Sequence, residues 1–303
     1  RFFHPQLADL INPFLMKDMD LAVDRLNDAM GRKERILVYG DYDVDGCTAV
    51  ALVYKFIQQF YSNIEYYIPD RYDEGYGVSK KGIDYAKETG VKLIIILDCG
   101  IKAIDEIAYA KSLGIDFIIC DHHMPDDELP PAVAILNPKR ADDTYPFKHL
   151  CGCGVGFKFM QAFAKNNGIP FARLIPLLDL CAVSIAADIV PVTEENRILA
   201  FHGLKTLNQN PSIGLKAIID ICGLGGRDIS MSDIVFKIGP RINASGRMES
   251  GRESVDLLVD KDFSHALEKA KHIDSYNDKR KDIDKQMTEE ANGIVSRLES
   301  QKH

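Results

Sequence analysis

The chain has 303 residues, of which 46% are hydrophobic and 27% charged, and it carries a formal net charge of −8. Its length predicts one large domain with an appendage, and its composition argues against intrinsic disorder. The negative charge argues against a protein that coats nucleic acid by charge alone, and no apolar run reaches the roughly 18 residues that a membrane span needs.

The first part of the chain alternates between helix-like and strand-like patterns. Residues 5–30 carry apolar side chains at near-helical spacing and predict one or two amphipathic helices. Runs rich in β-branched residues follow at 36–39, 64–68, 93–97 and 115–120, with helix-like segments between them at 47–60, 79–89 and 102–113. A further apolar run at 132–136 follows a proline-rich loop. This alternation predicts an α/β fold, a parallel sheet covered by helices on both faces.

After about residue 151 the strand pattern stops and helical spacing replaces it. Helix-like segments lie at 154–167, 171–187, 194–209, 212–221 and 231–238, followed by one long charged pattern from Phe263 to Ser300. A helix that long usually reaches a further domain. We therefore expect an N-terminal helical segment (1–30), an α/β domain (31–200), a helical extension (201–260) and a long connecting helix (261–303).

The first residue and the cysteines of the chain indicate whether it is part of a longer protein and in which compartment it resides. It begins at Arg1 with neither a methionine nor a signal-like apolar segment, which predicts an internal piece of a longer protein. The seven cysteines lack CxxC pairs, which argues against a disulfide framework or a zinc ribbon. Such cysteine usage favours the reducing cytoplasm.

Charged side chains follow the predicted strands at the point where each strand ends. The first strand is followed by GDYDVDG, the third by an aspartate and the fourth by an Asp-His-His triplet. The residues are Asp41, Asp43, Asp45, Asp98, Asp121, His122 and His123. Aspartate is common in turns and at helix N-termini, but these strand ends share one edge of a parallel sheet, where ligands bind. The sequence therefore predicts that these side chains lie close together.

Carboxylates crowded in this way repel one another, so a cation is expected among them. Carboxylate oxygens with one or two imidazoles suit Mn²⁺ or Mg²⁺ better than the thiolate-rich sets of structural zinc sites do. Because four or five acids and a histidine exceed the needs of one ion, we expect two cations about 3.5–4 Å apart. Such a pair could hold a phosphodiester and activate a water molecule.

Short motifs in this sequence resemble those of a known superfamily. GDYDVDG at 40–46, LDCG at 97–100, CDHH at 120–123 and AADIVPV at 186–192 together are similar to the DHH phosphoesterases. The exact residues of these motifs resemble those of the RecJ family of 5′-to-3′ exonucleases of single-stranded DNA, as do the stretches at 68–77, 150–159 and 241–248. The similarity runs from about residue 30 to the end and implies the DHH phosphoesterase fold.

The resemblance implies a role for each residue of the acidic cluster. The residues implied to bind two divalent cations are Asp43, Asp45, Asp98, His122 and Asp188. Asp98 is the expected bridge, and Asp188 rests on the resemblance alone, since it follows a helix-like run. Asp41 is expected to be a ligand or the partner of one, and Asp121 to orient His122. His123 is expected to face the scissile phosphate as a hydrogen-bond donor or acid.

The resemblance also implies substrate contacts outside the acidic cluster. Ser245 and Arg247, in the SGR sequence, could hold a phosphate through backbone amides and a guanidinium group. Arg71 in IPDR is the third candidate, near the same edge of the sheet. In the glycine loop CGCGVG, close packing is favoured over anion binding.

The implied activity is hydrolysis of single-stranded DNA from its 5′ end, in DNA repair and recombination. The family places DHHA1 and OB-fold domains beyond the long helix, and a single-strand-binding protein and a helicase are candidate partners.

Three other functions remain open from the sequence. The chain could be a DHH phosphodiesterase of short oligoribonucleotides or cyclic dinucleotides, which would share the cations. Asp43-Val-Asp45 also resembles the DxD of phosphatases with an aspartate nucleophile, although that class needs no histidine pair. The third is a non-catalytic DHH-type DNA-binding or scaffold module. Such a module would gain nothing from keeping a cluster of aspartates that repel one another.

Overall fold

A parallel β-sheet forms the centre of the protein. The computed structural model describes residues 4–248 and 250–300, with their side chains except those of 247, 248, 281, 283, 284 and 291–300. The sheet has the strand order β2-β1-β3-β4-β5, and every pairing is parallel. Its strands are β1 (Arg35–Gly40), β2 (Ile64–Tyr67), β3 (Val91–Leu97), β4 (Asp116–Cys120) and β5 (Ala134–Leu136). The predicted strands are therefore confirmed.

Helices cover both faces of this sheet, as the strand composition predicts. Side chains alternate along a strand, so an apolar strand must bury both of its sides. Ile36 and Val38 pack in a core with α1, α2 and α5, whereas Leu37 and Tyr39 pack in a second core with α3 and α4. These helices are α1 (Met19–Gly31), α2 (Val44–Gln58), α3 (Lys80–Glu88), α4 (Ile104–Ser112) and α5 (Gly152–Asn166).

The second half of the chain is helical. Its helices are α6 (Leu178–Ala187), α7 (Glu194–Gln209), α8 (Ile213–Ile221), α9 (Met231–Asp233), α10 (Gly239–Met248), α11 (Gly251–Leu258) and α12 (Phe263–Ser300). A π-helical turn, Ile234–Ile238, joins α9 to α10. The long terminal helix is confirmed as α12. None of the helices in the described part of the chain combines the length and the apolar character needed to cross a membrane.

Two predicted helices are shorter than expected. Four 3₁₀ turns replace their first residues, at Leu7–Asp9, Pro13–Leu15, Phe171–Arg173 and Ile175–Leu177. Pro13 and Pro176 lie inside two of these turns. Proline lacks the amide donor that a continuing α-helix requires, so α1 and α6 begin only after them.

The hydrophobic core continues across the predicted boundaries at 30, 200 and 260. Buried side chains from α1, α2, α5, α6, α8, α11 and α12 belong to one cluster. The helical extension also packs directly on α2, since Cys47 Sγ lies 3.6 Å from the Gly251 carbonyl oxygen. It packs on the loops beside that helix as well, where a side chain at Gly251 would lie 2.7 Å from Ile68 Cγ2 and from Tyr42 Cβ. The helical segments thus pack against the α/β part that carries the acidic residues.

Candidate metal centre

The three aspartates of GDYDVDG lie where β1 ends and α2 begins. Asp43 is the N-cap residue of α2, and its Oδ1 accepts a hydrogen bond from the Gly46 amide at 2.9 Å. Aspartate is favoured at this position because its carboxylate pairs with an amide that the helix leaves free. Asp41 and Asp45 are both buried. One helix start therefore carries three carboxylates.

Asp98 follows β3 at the same edge of the sheet and is buried. Its φ is 61°, a left-handed conformation that aspartate tolerates better than most residues do. The Asp98 amide donates to the Cys120 carbonyl at 2.9 Å, which extends the pairing of β3 with β4. A side chain at Gly152 would lie 2.6 Å from Asp98 Oδ1. Glycine at 152 thus lets α5 begin directly against this carboxylate.

His122 brings together carboxylates from distant parts of the chain. Its Nε2 lies 3.1 Å from Asp98 Oδ1, 3.6 Å from Asp45 Oδ2 and 3.7 Å from Asp188 Oδ2. Asp188 is the C-cap residue of α6, so no strand pattern could have indicated it. The structure thus places these four predicted ligands within reach of one another.

A second group of oxygen atoms lies beside the first. One ligand atom each of Asp41, Asp43 and Asp98 lies within 4.8 Å of the others, so Asp98 belongs to both groups. We call the two groups together the carboxylate cluster: Asp41, Asp43, Asp45, Asp98, His122 and Asp188. Its donor set is carboxylate oxygen with one imidazole, which suits Mn²⁺ or Mg²⁺.

The carboxylate cluster contains buried polar atoms without hydrogen-bond partners among the described residues. Asp41 Oδ1, Asp98 Oδ1, Asp188 Oδ2 and His122 Nδ1 are buried and have no hydrogen-bond partner among the described residues. Of the ion pairs formed within the described part of the chain, those of the cluster involve His122 and no lysine or arginine. Unpaired buried polar atoms are rare because they are costly. The residues present therefore fit a bound cation.

Burial and mutual repulsion shift the pKa values of the cluster. Burial, with repulsion from Asp43, raises the pKa of Asp41 to about 7. Burial, with repulsion from Asp45 and Asp43, raises the pKa of Asp188 to about 7 and that of Asp98 well above its usual range. Burial also lowers the pKa of His122. These groups are thus pushed towards their neutral forms unless positive charge is supplied.

Asp121 holds the ring of His123 rather than the ring of His122. Its Oδ1 lies 2.7 Å from His123 Nδ1 and accepts hydrogen bonds from the amides of His122 and His123 at 2.7 and 3.1 Å. The hydrogen bond to Asp121 raises the pKa of His123. The prediction that Asp121 orients the His122 ring is therefore wrong. The turn at CDHH folds the second imidazole back onto Asp121 and leaves the first to face the cluster.

The N-terminus of α5 binds the Asp45 carboxylate. Asp45 Oδ2 accepts from the Gly152 amide at 2.6 Å, and Asp45 Oδ1 accepts from the Cys153 amide at 2.7 Å. The Ser184 hydroxyl donates to the same Oδ1 at 2.6 Å. The glycine loop was expected to serve close packing rather than anion binding. The structure shows close packing of Gly152 against Asp98, and it also shows anion binding, in which the bound anion is the Asp45 carboxylate. Sequence reasoning missed Ser184 because it lies inside an apolar helix.

Arg71 lies at the edge of the site. Its guanidinium carbon is 5.5 Å from the centroid of the Tyr42 ring, and its charge partly offsets the effect of burial on the pKa of Asp41. Tyr76, which the sequence analysis did not single out, donates to the Asp98 carbonyl at 3.4 Å. Its ring packs edge-on against Tyr42 and His123 and remains 59% exposed. The only sequence signal was its place in the loop after IPDR.

The SGR segment lies beside Tyr42, inside α10. A side chain at Gly246 would be 2.5 Å from the Tyr42 carbonyl oxygen. Ser245 is fully buried, and its hydroxyl pairs with Ser254 and the Ile242 carbonyl. Its side chain therefore points into the helical part and does not face the cluster, because α10 continues through this segment. The side chain of Arg247 lies outside the described residues.

Comparisons with known proteins agree with this geometry. The family model described as the DHH family, N-terminal domain, matches residues 35–185. The single-stranded-DNA-specific exonuclease RecJ of Bacillus subtilis is 41% identical over 294 residues, which cover 97% of this chain and 37% of that protein. The exonuclease of the same name from Haemophilus influenzae is 36% identical over 301 residues, which cover 96% of this chain and 52% of that protein.

A solved structure agrees as well. The crystal structure of exonuclease RecJ bound to manganese superposes with a TM-score of 0.84 at 29% identity, and the match covers 94% of this chain and 71% of that one. The chain spans about half or less of the length of the two curated relatives. The Asp-His-His sequence at 121–123 and these similarities agree: residues 35–185 are a DHH-family N-terminal domain, and the chain is similar to the RecJ exonucleases along nearly all of its length.

Proposed function

We propose that the chain is the catalytic part of an exonuclease that hydrolyses the phosphodiester bonds of single-stranded DNA from the 5′ end, with two divalent cations. One observation carries the proposal: carboxylates from distant parts of the chain surround His122 Nε2 at 3.1 to 3.7 Å. One buried oxygen of Asp98 and one of Asp188 have no hydrogen-bond partner among the described residues. The names of the relatives, which specify single-stranded DNA and manganese, support the substrate and the metal.

The proposed ligands are the residues that converge. Asp45, Asp98, His122 and Asp188 would hold one cation, and Asp43 with Asp98 the other, with Asp41 as a further ligand or partner. Asp98 is proposed as the shared ligand because it belongs to both groups of oxygen atoms. Bound Mn²⁺ or Mg²⁺ would neutralise the cluster, polarise the scissile phosphate and activate a water molecule.

His123 is proposed as the residue that faces the scissile phosphate. Its Nδ1 is engaged by Asp121 at 2.7 Å, which fixes the ring orientation and leaves Nε2 as the donor available to substrate. The hydrogen bond to Asp121 raises the pKa of His123, so its protonated, donating form is favoured. His123 would thus donate a hydrogen bond to a phosphate oxygen.

Arg71 and Arg247 are proposed to bind phosphate groups of the substrate. Arg71 lies beside the cluster without an ion-pair partner among the described residues. A guanidinium group suits phosphate oxygens because it offers paired donors in a plane. For Ser245 the proposal is indirect: its hydroxyl bond to Ser254 would hold the SGR segment against Tyr42.

The wider setting is proposed from the family. The α/β part at 31–200 would carry the chemistry, with the segments at 1–30 and 201–260 packed against it. The segment at 261–303, which contains α12, would lead to DHHA1 and OB-fold domains of the same protein. We further propose a cytoplasmic location, since all seven cysteines are free, and a role in DNA repair and recombination with a single-strand-binding protein and a helicase.

The test compares substrates with Mn²⁺ present. We expect 5′-mononucleotides to be released from 5′-phosphorylated single-stranded DNA, with little release from duplex DNA. Asp98→Asn should abolish release, whereas Asp228→Asn, an exposed aspartate outside the cluster, should not. Hydrolysis confined to dinucleotides would favour the short-oligonucleotide phosphodiesterases, and Mn²⁺ binding without hydrolysis of any of these substrates would favour a binding module.

A further inference from the structure

Asp45 differs from the other carboxylates of the cluster in how it is held. Asp41, Asp98 and Asp188 each have a buried oxygen with no hydrogen-bond partner among the described residues, whereas Asp45 does not. Its two oxygens accept two amide hydrogen bonds from α5 and one from the Ser184 hydroxyl, at 2.6 to 2.7 Å. A carboxylate bound at three points cannot rotate about its terminal bond without losing a partner.

Counting hydrogen atoms fixes the direction of the bonds at Ser184. The Ser184 oxygen lies 2.6 Å from Asp45 Oδ1 and 2.9 Å from Cys151 Sγ. A hydroxyl has one hydrogen, and an ionised carboxylate can only accept. Ser184 therefore donates to Asp45, and the Cys151 thiol donates to Ser184. The same sulfur accepts from the Gly154 amide at 3.3 Å as the N-cap of α5.

Ser184 is linked to a second candidate ligand through its backbone. The Asp188 amide donates to the Ser184 carbonyl at 2.9 Å, in the last turn of α6. The side chain of Ser184 thus holds Asp45 while its main chain holds Asp188, and both carboxylates face His122 Nε2. Ser184 itself is completely buried, so it cannot contact DNA directly.

We infer that Ser184 is a positioning residue for the metal centre: with Cys151 behind it, it locks the Asp45 carboxylate in the orientation that binds a cation. The inference rests on the proposed function, because it needs a cation at the cluster. Partners that orient a ligand in this way commonly change metal affinity by 10–100-fold when they are removed. They do so without touching the metal or the substrate.

The affinity of the 303-residue chain for Mn²⁺ tests this inference. The EPR signal of free Mn²⁺ decreases as the ion binds, so a titration monitored by EPR measures that affinity. Ser184→Ala should weaken binding at the site that includes Asp45 by at least roughly tenfold. The matched control is Tyr145→Phe, which removes another buried hydroxyl donating to a buried carboxylate, Glu195, also at 2.6 Å. Tyr145→Phe should lower the unfolding temperature without metal yet leave the Mn²⁺ affinity within about twofold of wild type, since Glu195 lies outside the cluster.

Variants at Cys151 give a second test that does not require Ser184→Ala to fold. Cys151→Ser keeps both the cap and a donor, so its affinity should stay near wild type. Cys151→Ala removes the donor and should weaken Mn²⁺ binding several-fold. Wild-type affinity in Ser184→Ala, or in Cys151→Ala if the first variant does not fold, would overturn the inference while leaving the proposed function intact. A wild-type chain that binds no Mn²⁺ would overturn both.

Discussion

Two groups of buried charged side chains in the described part of the chain are built in opposite ways. In the first, which we call the Lys158 network, Lys158 Nζ lies 2.8 Å from Glu195 Oε1 and 2.5 Å from the Ile11 carbonyl. The Tyr145 hydroxyl and the Ile11 amide complete the partners of Glu195, at 2.6 and 3.0 Å. In the second, the carboxylate cluster, no lysine or arginine of the described residues forms an ion pair with the acids.

The difference separates a structural role from a binding role. The Lys158 network is satisfied within the protein and fastens the segment around Ile11 to α5 and α7, so nothing else needs to bind there. In the carboxylate cluster, Asp41, Asp98 and Asp188 each keep a buried oxygen without a hydrogen-bond partner among the described residues. Burying like charges without a counter-ion is costly. The cluster therefore has an excess of negative charge, and it lies at the edge of a parallel sheet where ligands bind. This indicates that a cation binds there and balances the charge.

Breaking the balanced group should have the largest effect on stability. Lys158→Met leaves Glu195 buried without its cation, which should lower the free energy of unfolding by about 3–5 kcal/mol. Denaturant unfolding with EDTA measures the loss. The double variant Lys158→Met/Glu195→Gln should recover part of it, because no unpaired charge then remains. A loss below about 1 kcal/mol for the single variant would show that the balanced network does not hold this part of the fold.

The carboxylate cluster should make the metal-free protein less stable as the pH rises. Asp41 and Asp188 have pKa values of about 7 in the folded chain against 3.8 for an ordinary aspartate. Between these values the folded state binds more protons than the unfolded state, so the stability of the metal-free chain should fall as the pH rises from about 4 to 7. One pKa unit corresponds to about 1.4 kcal/mol, so each of the two groups alone would contribute a loss of up to roughly 4 kcal/mol.

Added Mn²⁺ is the control for this pH effect. A cation stabilises the ionised acids, so saturating Mn²⁺ should abolish most of the decline, and its own stabilising effect should grow with pH up to about 7. Thermal melts at fixed pH steps, with EDTA or Mn²⁺, provide the measurement. Rising stability of the metal-free chain across this range would contradict the assignment of an unbalanced cluster.

Removing one acid from the unbalanced group should stabilise the protein when metal is absent. Asp98→Asn keeps the side-chain shape and removes a repelling buried charge, so at pH 8 with EDTA we expect a gain of about 1–2 kcal/mol. The same variant should lose the stabilisation by Mn²⁺. Asp179→Asn is the matched control: Asp179 is also buried, but it accepts amide hydrogen bonds from Ser212 and Leu180, so its removal should destabilise the fold by about 1–3 kcal/mol.

The smallest effect is expected at the exposed edge of the site. Arg71→Ala should raise KM for single-stranded DNA by about fivefold, roughly 1 kcal/mol, with little change in kcat, because it removes one phosphate contact. The difference should shrink at high salt. Lys81→Ala, which removes an exposed cation paired with Asp73, should leave KM unchanged. Equal KM values for Arg71→Ala and wild type would remove Arg71 from the substrate site.

The sheet and most of the carboxylate cluster could be predicted from the sequence. Five apolar runs alternating with helical spacing specify a parallel sheet, and acids that directly follow such runs must meet at one edge. Asp188 could not be found in this way, since it ends a helix and reaches the cluster only through packing; the family resemblance supplied it.

The hydrogen bonds that hold the predicted site residues in place could not be predicted from the sequence. Whether Asp121 supports His122 or His123 depends on one turn after β4, and both arrangements satisfy the same CDHH motif. Ser184 reads as a small residue in an apolar helix, because its partners, Asp45 and Cys151, lie 139 and 33 residues away in the chain. The burial of Ser245 likewise depends on α10 continuing through the SGR segment.

Anomalous diffraction at the manganese absorption edge, on crystals grown with Mn²⁺, would show directly whether two cations bind at the carboxylate cluster. Two peaks are expected within the carboxylate cluster, both in bonding distance of Asp98 and one also beside His122 and Asp188. No peak at the cluster, or peaks only at surface carboxylates while Asp98 keeps its oxygens free, would contradict it.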